Sequence, residues 1–342
     1  MMKFSFVIPV YNCKAYLVAC VDSICAAGAE DYEILLIDDG ATDGSGAVCD
    51  SLATRYPEVR VIHQSNAGAS AARNRGIREA RGEFLLFLDA DDSIDSDALG
   101  VVLADPRVLE NDMTIYGMTF DYYFHGNCYR RDPMYFAYDG VLTREDWGRA
   151  FAALFRDNSL SPVWNKIFRR EILISRDLEL NTDLFLYEDL EFVLRYMSSC
   201  CGIWNVPAAI YHYRQSEDEG NAGRRLKRVD SIPKFLAYIE TALGDLPDAV
   251  SEEDRALVLQ QLYLVLAREK IAVSHIREIG DICRDYRIWA EGRLLPLARD
   301  NFQNDLSGCN VLKLYLLSRK TQLRHKIAII VKAGIHLKNV SR

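Results

Sequence analysis

The chain has 342 residues, of which 49% are hydrophobic and 26% are charged, a composition typical of a globular protein with one large core and an appended unit. Its nine cysteines form no CxxC pair and no zinc-ligand spacing, so we expect reduced thiols in a cytoplasmic protein. No run reaches the eighteen apolar residues that a membrane-spanning helix needs. The apolar run after Lys3 stops at Pro9 and is too short for a secretory signal, so it is interpreted as the first strand.

The net charge of −8 is distributed unevenly. Residues 311–342 contain eight Lys or Arg and no Asp or Glu, so this tail carries +8 and the rest of the chain −16. The acidic part lacks the interleaved basic and aromatic residues of nucleic-acid-binding surfaces, which argues against a nucleic-acid partner.

The first hundred residues alternate between strand and helix patterns. Continuous apolar runs predict strands, whereas apolar residues spaced by three or four, such as Leu17, Val21 and Ile24, predict helices. The predicted strands are Phe4–Val10, Glu33–Ile37, Val59–His63 and Phe84–Leu88, with helices over Ser45–Ala53 and Ser70–Ala80. Such alternation indicates an α/β fold with a mostly parallel sheet and helices on both faces.

A cluster of polar or turn-forming residues follows each predicted strand. The four clusters are Pro9 with Tyr11, Asp38 with Asp39, Asn66 to Gly68, and Asp89-Ala90-Asp91-Asp92. Each alone is explained by a turn, since Asn, Asp and Gly are common turn residues. All four lie at the carboxyl ends of parallel strands, the edge at which open sheets bind ligands, and together they indicate a site.

Three carboxylates within four positions, Asp89, Asp91 and Asp92, repel one another unless a cation lies among them. A solvated acidic loop is the simpler explanation for the isolated motif. The chain has no GxGxxG after the first strand and no GxxxxGK[ST] anywhere, so neither phosphate-binding loop is present. We therefore expect Mn²⁺ or Mg²⁺ to link these carboxylates to a diphosphate.

Several stretches resemble the family 2 glycosyltransferases: FSFVIPVYN, EILLIDDGATDGS, HQSNAGASAARNRGI and GEFLLFLDADD, and more loosely SPVWNKIFRREIL, YEDLEF and YHYRQ. The resemblance implies a GT-A type, Rossmann-like fold. It also implies an inverting hexosyltransferase that uses a nucleotide sugar, chiefly a UDP-sugar, and a divalent metal. The implied acceptor is a glycan or a lipid-linked glycan in surface polysaccharide synthesis.

The resemblance also implies roles for individual residues on the donor side. Pro9 and Tyr11 would flank the nucleobase, and Asp39, with Asp38 beside it, would accept the imide N–H of uracil. Arg73 would contact the diphosphate or the ribose. The loop residues Asn66, Gly68 and Ala90 complete the predicted nucleotide-sugar site.

The metal site is predicted from the same resemblance. Asp91 is the expected direct ligand, Asp89 the ribose-contacting partner that shares the metal site, and His212 an additional ligand. Asp92 would orient the loop or meet the sugar. Arg214 would act as a phosphate clamp, although the acidic SEDEG after YHYRQ departs from the family pattern and weakens any role for that loop.

Inverting transfer needs a base that removes the proton of the acceptor hydroxyl. Asp189 resembles the family's base and Glu188 its supporting acceptor contact, whereas the alternative is an ordinary acidic helix start. Trp164 and Lys166 are predicted to line the acceptor side, the first by stacking on a sugar and the second by meeting a charged group. A tryptophan that belongs to the core is the alternative.

The expected domains are a catalytic domain over residues 1–220, a helical appendage over 221–310 and a basic tail over 311–342. The catalytic domain divides into a nucleotide-sugar half, 1–100, and an acceptor half, 101–220. Apolar and basic residues recur at helical spacing in the tail. They suit a helix at an anionic membrane surface, which would make the protein peripheral at the inner face of the cell membrane. The alternative is a helix packed on the protein with a solvated basic face.

Vesicle sedimentation distinguishes the two interpretations of the tail. An interfacial tail should bring the full chain down with anionic vesicles at low salt and release it as salt rises, because the attraction fades over a Debye length. A chain truncated before Val311 should then stay in solution and keep its affinity for nucleotide sugar. If neither form sediments at low salt, the membrane interpretation is wrong.

Two other functions remain open from the residues alone. A nucleotidyltransferase that makes sugar nucleotides would need a glycine-rich, basic loop after the first strand, and YNCKAYL is not one. A binding module without turnover is disfavoured only by the Glu188-Asp189 pair.

Overall fold

The computed structural model describes residues 2–136, 138–156, 158–184, 187–216, 232–259 and 262. It contains two compact units, Met1–Asn221 with Pro233–Ser251, and Ala222–Ile232 with Glu252–Arg342. In the second unit residues 252–259 are helical. The basic tail and most of the predicted appendage lie outside the described residues, so those boundaries stay predictions. Within the described ranges, no helix has the length and apolarity needed to cross a bilayer.

The first quarter of the chain folds as its patterns predict. In order, the elements are β1 (Phe4–Val10), α1 (Leu17–Cys25), β2 (Tyr32–Asp38), α2 (Ser45–Arg55), β3 (Val59–His63), α3 (Ala69–Glu79) and β4 (Phe84–Phe87). The helical stripe Leu17, Val21 and Ile24 is buried in one core with alternate residues of β1, which explains why both periods are visible in the sequence.

The four strands form a parallel sheet in the order β3-β2-β1-β4. Val10 lies opposite Asp38, and Asp38 lies opposite His63, so the carboxyl ends of three strands are level. Helix α3 approaches β1 so closely that a Cβ on Gly76 would lie 2.1 Å from Val7 Cγ1, which requires glycine there.

The remaining elements extend the same sheet. They are β5 (Ser93–Ile94), α4 (Ser96–Ala104), α5 (Arg107–Glu110), β6 (Met113–Phe124), β7 (Asn127–Met134), β8 (Gly140–Thr143), α6 (Trp147–Arg156), β9 (Lys166–Arg169), α7 (Arg170–Ser175), α8 (Glu188–Met197), β10 (Gly202–Ser216) and α9 (Ile232–Gly244). Beyond β4 the order is β9-β6-β10-β5, in which β9 runs antiparallel to both neighbours and β10 runs parallel to β6.

The position of β10 matters for the site. Its residues Tyr211 and His212 pair with β5, which begins immediately after the Asp89–Asp92 loop. Strand β10, which lies far from the Asp89–Asp92 loop in the sequence, therefore forms one wall of that loop.

Candidate functional site

The carboxylate of Asp39 holds the loops after β2 and β3 together. Its Oδ1 accepts hydrogen bonds from the backbone N–H of Ala67 and from Gln64 Nε2, both at 2.8 Å, and its Oδ2 accepts one from the N–H of Gly68 at 2.8 Å. Gly68 has a left-handed φ of 93°, which favours glycine. Three of about four acceptor positions are thus used, and Asp39 is 2% exposed.

Asp38 has two protein partners of its own. Its Oδ2 lies 2.7 Å from His63 Nδ1, and its Oδ1 accepts from the N–H of Ala41 at 3.0 Å. His63 also contacts Asp50, and its hydrogen bonds to the two carboxylates raise its pKa. Both oxygens of Asp38 therefore support the loop that carries Asp39, and a contact of Asp38 to the donor stays a prediction.

The loop after β1 lies at the same edge. Asn12 Oδ1 accepts from the N–H of Thr42 at 2.8 Å, and the N–H of Cys13 donates to Ser45 Oγ at 3.0 Å. These bonds tie the loop to the β2–α2 connection. Tyr11 is 48% exposed there, and its predicted contact to a nucleobase stays a prediction.

The loop Asp89–Asp92 is anchored at both ends. The N–H of Asp89 donates to Tyr211 Oη at 3.1 Å, and Tyr211 Oη donates to Asp92 Oδ2 at 2.6 Å. Asp92 Oδ1 accepts from the N–H of Arg214 at 2.7 Å. Burial, with Asp89 and Asp91 nearby, raises the pKa of Asp92 to about 9. Asp92 therefore orients the loop, one of the two predicted roles, while Ala90 is buried and Asp91 is exposed.

The donor set of this loop fits a hard divalent cation. Asp89 and Asp91 supply carboxylate oxygens, which such a cation prefers as ligands. Two carboxylates are fewer than a complete ligand set, and among the described residues no group of three or more His, Cys, Asp or Glu could hold a metal. A Mg²⁺ or Mn²⁺ ion held by one or two carboxylates would take its other ligands from substrate phosphates and water.

His212 lies on β10 beside strand β6. Its Nδ1 lies 3.2 Å from Asp121 Oδ2 on β6. Side chains alternate along a strand, so His212 shares a face of β10 with Arg214, whose guanidinium lies over the ring of Tyr16 between β1 and α1. The assignment of His212 as a metal ligand stays a prediction.

Arg73 pairs with two carboxylates of the site, and its predicted contact to the diphosphate or the ribose stays a prediction. Its side chain is only 6% exposed, and its Nη2 donates to Asp89 Oδ1 at 2.6 Å while its Nη1 lies 3.5 Å from Asp189 Oδ1. The guanidinium thus bridges the carboxylate that begins the acidic loop and the candidate base. A buried arginine with two carboxylate partners is a fixed element of the site.

Helix α8 brings Asp189 to this position. Tyr187 adopts a left-handed φ of 57° at the start of the helix, and Glu188 and Asp189 follow in its first turn. Asp189 Oδ2 accepts from the N–H of Val163 at 3.4 Å. Burial raises the pKa of Asp189, and the opposing charge of Arg73 limits the increase. A carboxylate with a raised pKa is a better base, so Asp189 is suited to proton removal.

Trp164 and Lys166 are buried, whereas the sequence predicted that both line the acceptor side. The Trp164 ring is 7% exposed and stacks on Tyr211 and Tyr213, with centroids 4.1 Å and 5.2 Å away. Lys166 is fully buried, and its Nζ donates to the carbonyl oxygens of Ser159 and Pro162 and to an amide oxygen. The reason is that Trp164 packs against β10, whereas Lys166 begins β9, which lies between β4 and β6 inside the sheet.

Arg214 lies between aromatic rings. Its guanidinium carbon is 3.5 Å from the ring centroid of Tyr123 and 4.6 Å from that of Tyr16. Sequence reasoning missed these rings and also Tyr211, the residue that anchors the acidic loop. The one signal in the sequence for a role of Tyr211 was its position within YHYRQ. No motif indicated that it would contact Asp89 and Asp92.

Comparisons with known proteins agree with this geometry. The family model described as "Glycosyl transferase family 2" matches residues 5–175. The "Uncharacterized glycosyltransferase YibD" of Escherichia coli K12 is 30% identical over 294 residues, covering 84% of this chain and 83% of the relative.

Two solved structures share the fold. S. aureus TarS 1–349 in complex with UDP-GlcNAc aligns with a TM-score of 0.67 at 19% identity, covering 93% of this chain and 90% of TarS. The mannosyltransferase PcManGT of Pyrobaculum calidifontis, in complex with GDP-Man and Mn²⁺, aligns with a TM-score of 0.50 at 16% identity, covering 96% of this chain and 86% of PcManGT. The parallel β3-β2-β1-β4 sheet, the acidic loop at its edge and these matches lead to one conclusion: the chain belongs to the family 2 glycosyltransferases.

Proposed function

We propose that the protein transfers a hexose from a UDP-sugar, with inversion and with a divalent metal, to a glycan or lipid-linked acceptor during surface polysaccharide synthesis at the cytoplasmic side of the membrane. The observation that carries the proposal is the Arg73 bridge between Asp89 and Asp189. It joins the predicted diphosphate site to the predicted base through one guanidinium. The UDP-GlcNAc in the TarS complex supports a UDP-sugar donor.

The donor would lie along the edge formed by the four loops. Tyr11 offers an exposed ring to the base, and Asp39 keeps one acceptor position for an imide N–H. Asp89 and Asp91 would hold the metal, which when bound neutralises the charge that develops on the leaving diphosphate. The Mn²⁺ in the PcManGT complex supports this part of the proposal.

Asp189 would take the acceptor's proton. Its burial raises its pKa, and the N–H of Val163 and the guanidinium of Arg73 orient its two oxygens. Because Arg73 also binds Asp89, its side chain constrains the distance from the base to the acidic loop. An in-line displacement needs such a constraint, since the base must face the anomeric carbon opposite the leaving group.

Thermal stabilisation across a panel of nucleotide sugars tests the donor class. Binding to the native state alone raises stability with the logarithm of ligand excess. We expect the melting temperature to rise with UDP-sugars in Mn²⁺, less so without metal, and little with GDP- or ADP-sugars. Stabilisation by nucleoside triphosphates together with sugar phosphates would favour a nucleotidyltransferase instead.

Turnover separates the enzyme from a binding module. The UDP-sugar that stabilises the protein most should be hydrolysed slowly to UDP in the absence of acceptor. Binding with no release of UDP, even with candidate acceptors added, would favour the non-catalytic alternative.

A further inference from the structure

Two adjacent polar side chains, Asn165 and Lys166, are completely buried beneath the loop that reaches the candidate base. The Nζ of Lys166 donates to the carbonyl oxygens of Ser159 at 2.7 Å and Pro162 at 2.5 Å, and to Asn165 Oδ1 at 2.7 Å. Three acceptors match the three N–H donors of an ammonium group. The lysine thus binds the two ends of the turn 159–162.

Asn165 fastens the same segment to the sheet. Its Nδ2 donates to the carbonyl oxygen of Ser159 at 3.0 Å and to that of Tyr116 on β6 at 3.1 Å. The hydroxyl of Tyr116 in turn donates to the carbonyl oxygen of Trp164 at 2.9 Å. Residues 159–164 are therefore held from below by two side chains and from β6 by a third.

Two groups of this segment contact residues of the candidate site. The N–H of Val163 reaches Asp189 Oδ2 at 3.4 Å. The ring of Trp164 stacks on Tyr211 at 4.1 Å, with an interplanar angle of 20°. Tyr211 Oη is the anchor of the acidic loop, through the N–H of Asp89 and the carboxylate of Asp92.

We propose that Lys166 and Asn165 are positioning residues of the transfer reaction, which set the place of the base through Val163 and the place of the metal- and diphosphate-binding loop through Trp164 and Tyr211. The inference rests on the proposed function, and neither residue touches substrate. One buried pair would thus fix the relative position of two groups that lie far apart in the sequence.

The chemistry of the pair supports a positioning role over simple packing. Burial by itself lowers the pKa of Lys166 well below the ordinary lysine value, whereas the three acceptors favour the charged form against that cost. A buried side chain that only filled space could be apolar and would carry no such desolvation cost. A lysine that gathers three acceptors instead specifies the backbone path of residues 159–162.

Lys166→Met tests the inference because it keeps the length of the side chain and removes all three donors. The matched control is Glu33→Gln, because Glu33 is also a buried polar residue but lies near the amino ends of the strands. Its carboxylate accepts hydrogen bonds from Ser5 Oγ at 2.8 Å and from the N–H of Arg81 at 2.6 Å. For each folded protein, checked by near-ultraviolet circular dichroism, calorimetry measures the affinity for UDP with Mn²⁺. The release of UDP from the most stabilising UDP-sugar measures turnover at saturation.

We expect Lys166→Met to lose at least tenfold in both UDP affinity and turnover, and Glu33→Gln to change neither, although both lose stability. Trp164→Leu should weaken UDP binding more than turnover, because it breaks the stacking on Tyr211 and leaves the N–H of Val163 in place. A purely structural role would not produce this division between affinity and turnover.

A folded Lys166→Met protein with wild-type affinity and turnover would overturn the inference while the proposed function stands. If Lys166→Met does not fold, Asn165→Ser decides by the same two measurements, with losses in the same direction expected and wild-type values overturning the inference. Wild-type protein that neither binds UDP with Mn²⁺ nor releases it from any UDP-sugar contradicts the proposed function itself, and the inference falls with it.

Discussion

Asp189→Asn is expected to reduce sugar transfer by about 10² to 10⁴, the usual effect of removing a positioned general base. Binding of UDP-sugar and metal should persist, because the variant keeps the size of the side chain and an oxygen that can accept from Val163 N–H. The measurements are steady-state turnover at saturating donor and calorimetric affinity for UDP with Mn²⁺. A loss confined to affinity would contradict the assignment.

The pH dependence of turnover provides a second test of the same base. Asp189 must be ionised to accept a proton, so turnover should rise with pH through its pKa. Burial raises that pKa above the ordinary aspartate value, so the acidic limb of the profile should lie at correspondingly higher pH.

The matched variant is Glu188→Gln, since Glu188 is the neighbour of Asp189 in the first turn of α8. If Glu188→Gln is inactive and Asp189→Asn is active, the two roles are reversed.

Asp91→Asn is expected to abolish most transfer and the metal-dependent part of UDP binding. Asp91 is exposed in the Asp89–Asp92 loop, so the substitution should leave the fold and the melting temperature almost unchanged. Calorimetry of UDP binding with and without Mn²⁺ separates the two components. We expect the wild-type protein to show a large difference between the two titrations and the variant a small one.

A control for net charge comes from the adjacent helix. Asp97→Asn removes one exposed carboxylate from the first turn of α4 and should leave metal-dependent binding intact. If Asp91→Asn retains full activity and the same metal dependence, the assignment of Asp91 as a metal ligand is wrong.

Local patterns were enough to predict the nucleotide-sugar half of the fold. The predicted strand Phe4–Val10 coincides with β1, and the other early elements agree within two residues at each end. Alternation and helical spacing reflect which face of each element is buried, and that information is contained in short windows. The same windows predicted that Asp39, Gly68 and Asp89 would meet at one edge, because parallel strands align their carboxyl ends.

The sequence by itself thus determined the family, the parallel sheet and the edge that carries the candidate site. Only the tertiary structure decided how the individual side chains are used there. Arg73 lies 116 positions before Asp189, Tyr211 reaches Asp92 across 119 positions, and Lys166 turns inward where an exposed side chain was expected. The physical reason is that a motif specifies residue types. The ion pairs and the burial of each side chain depend instead on which strands become neighbours. That neighbour order, with β10 beside β5 and β9 between β4 and β6, is set by packing across the whole sheet.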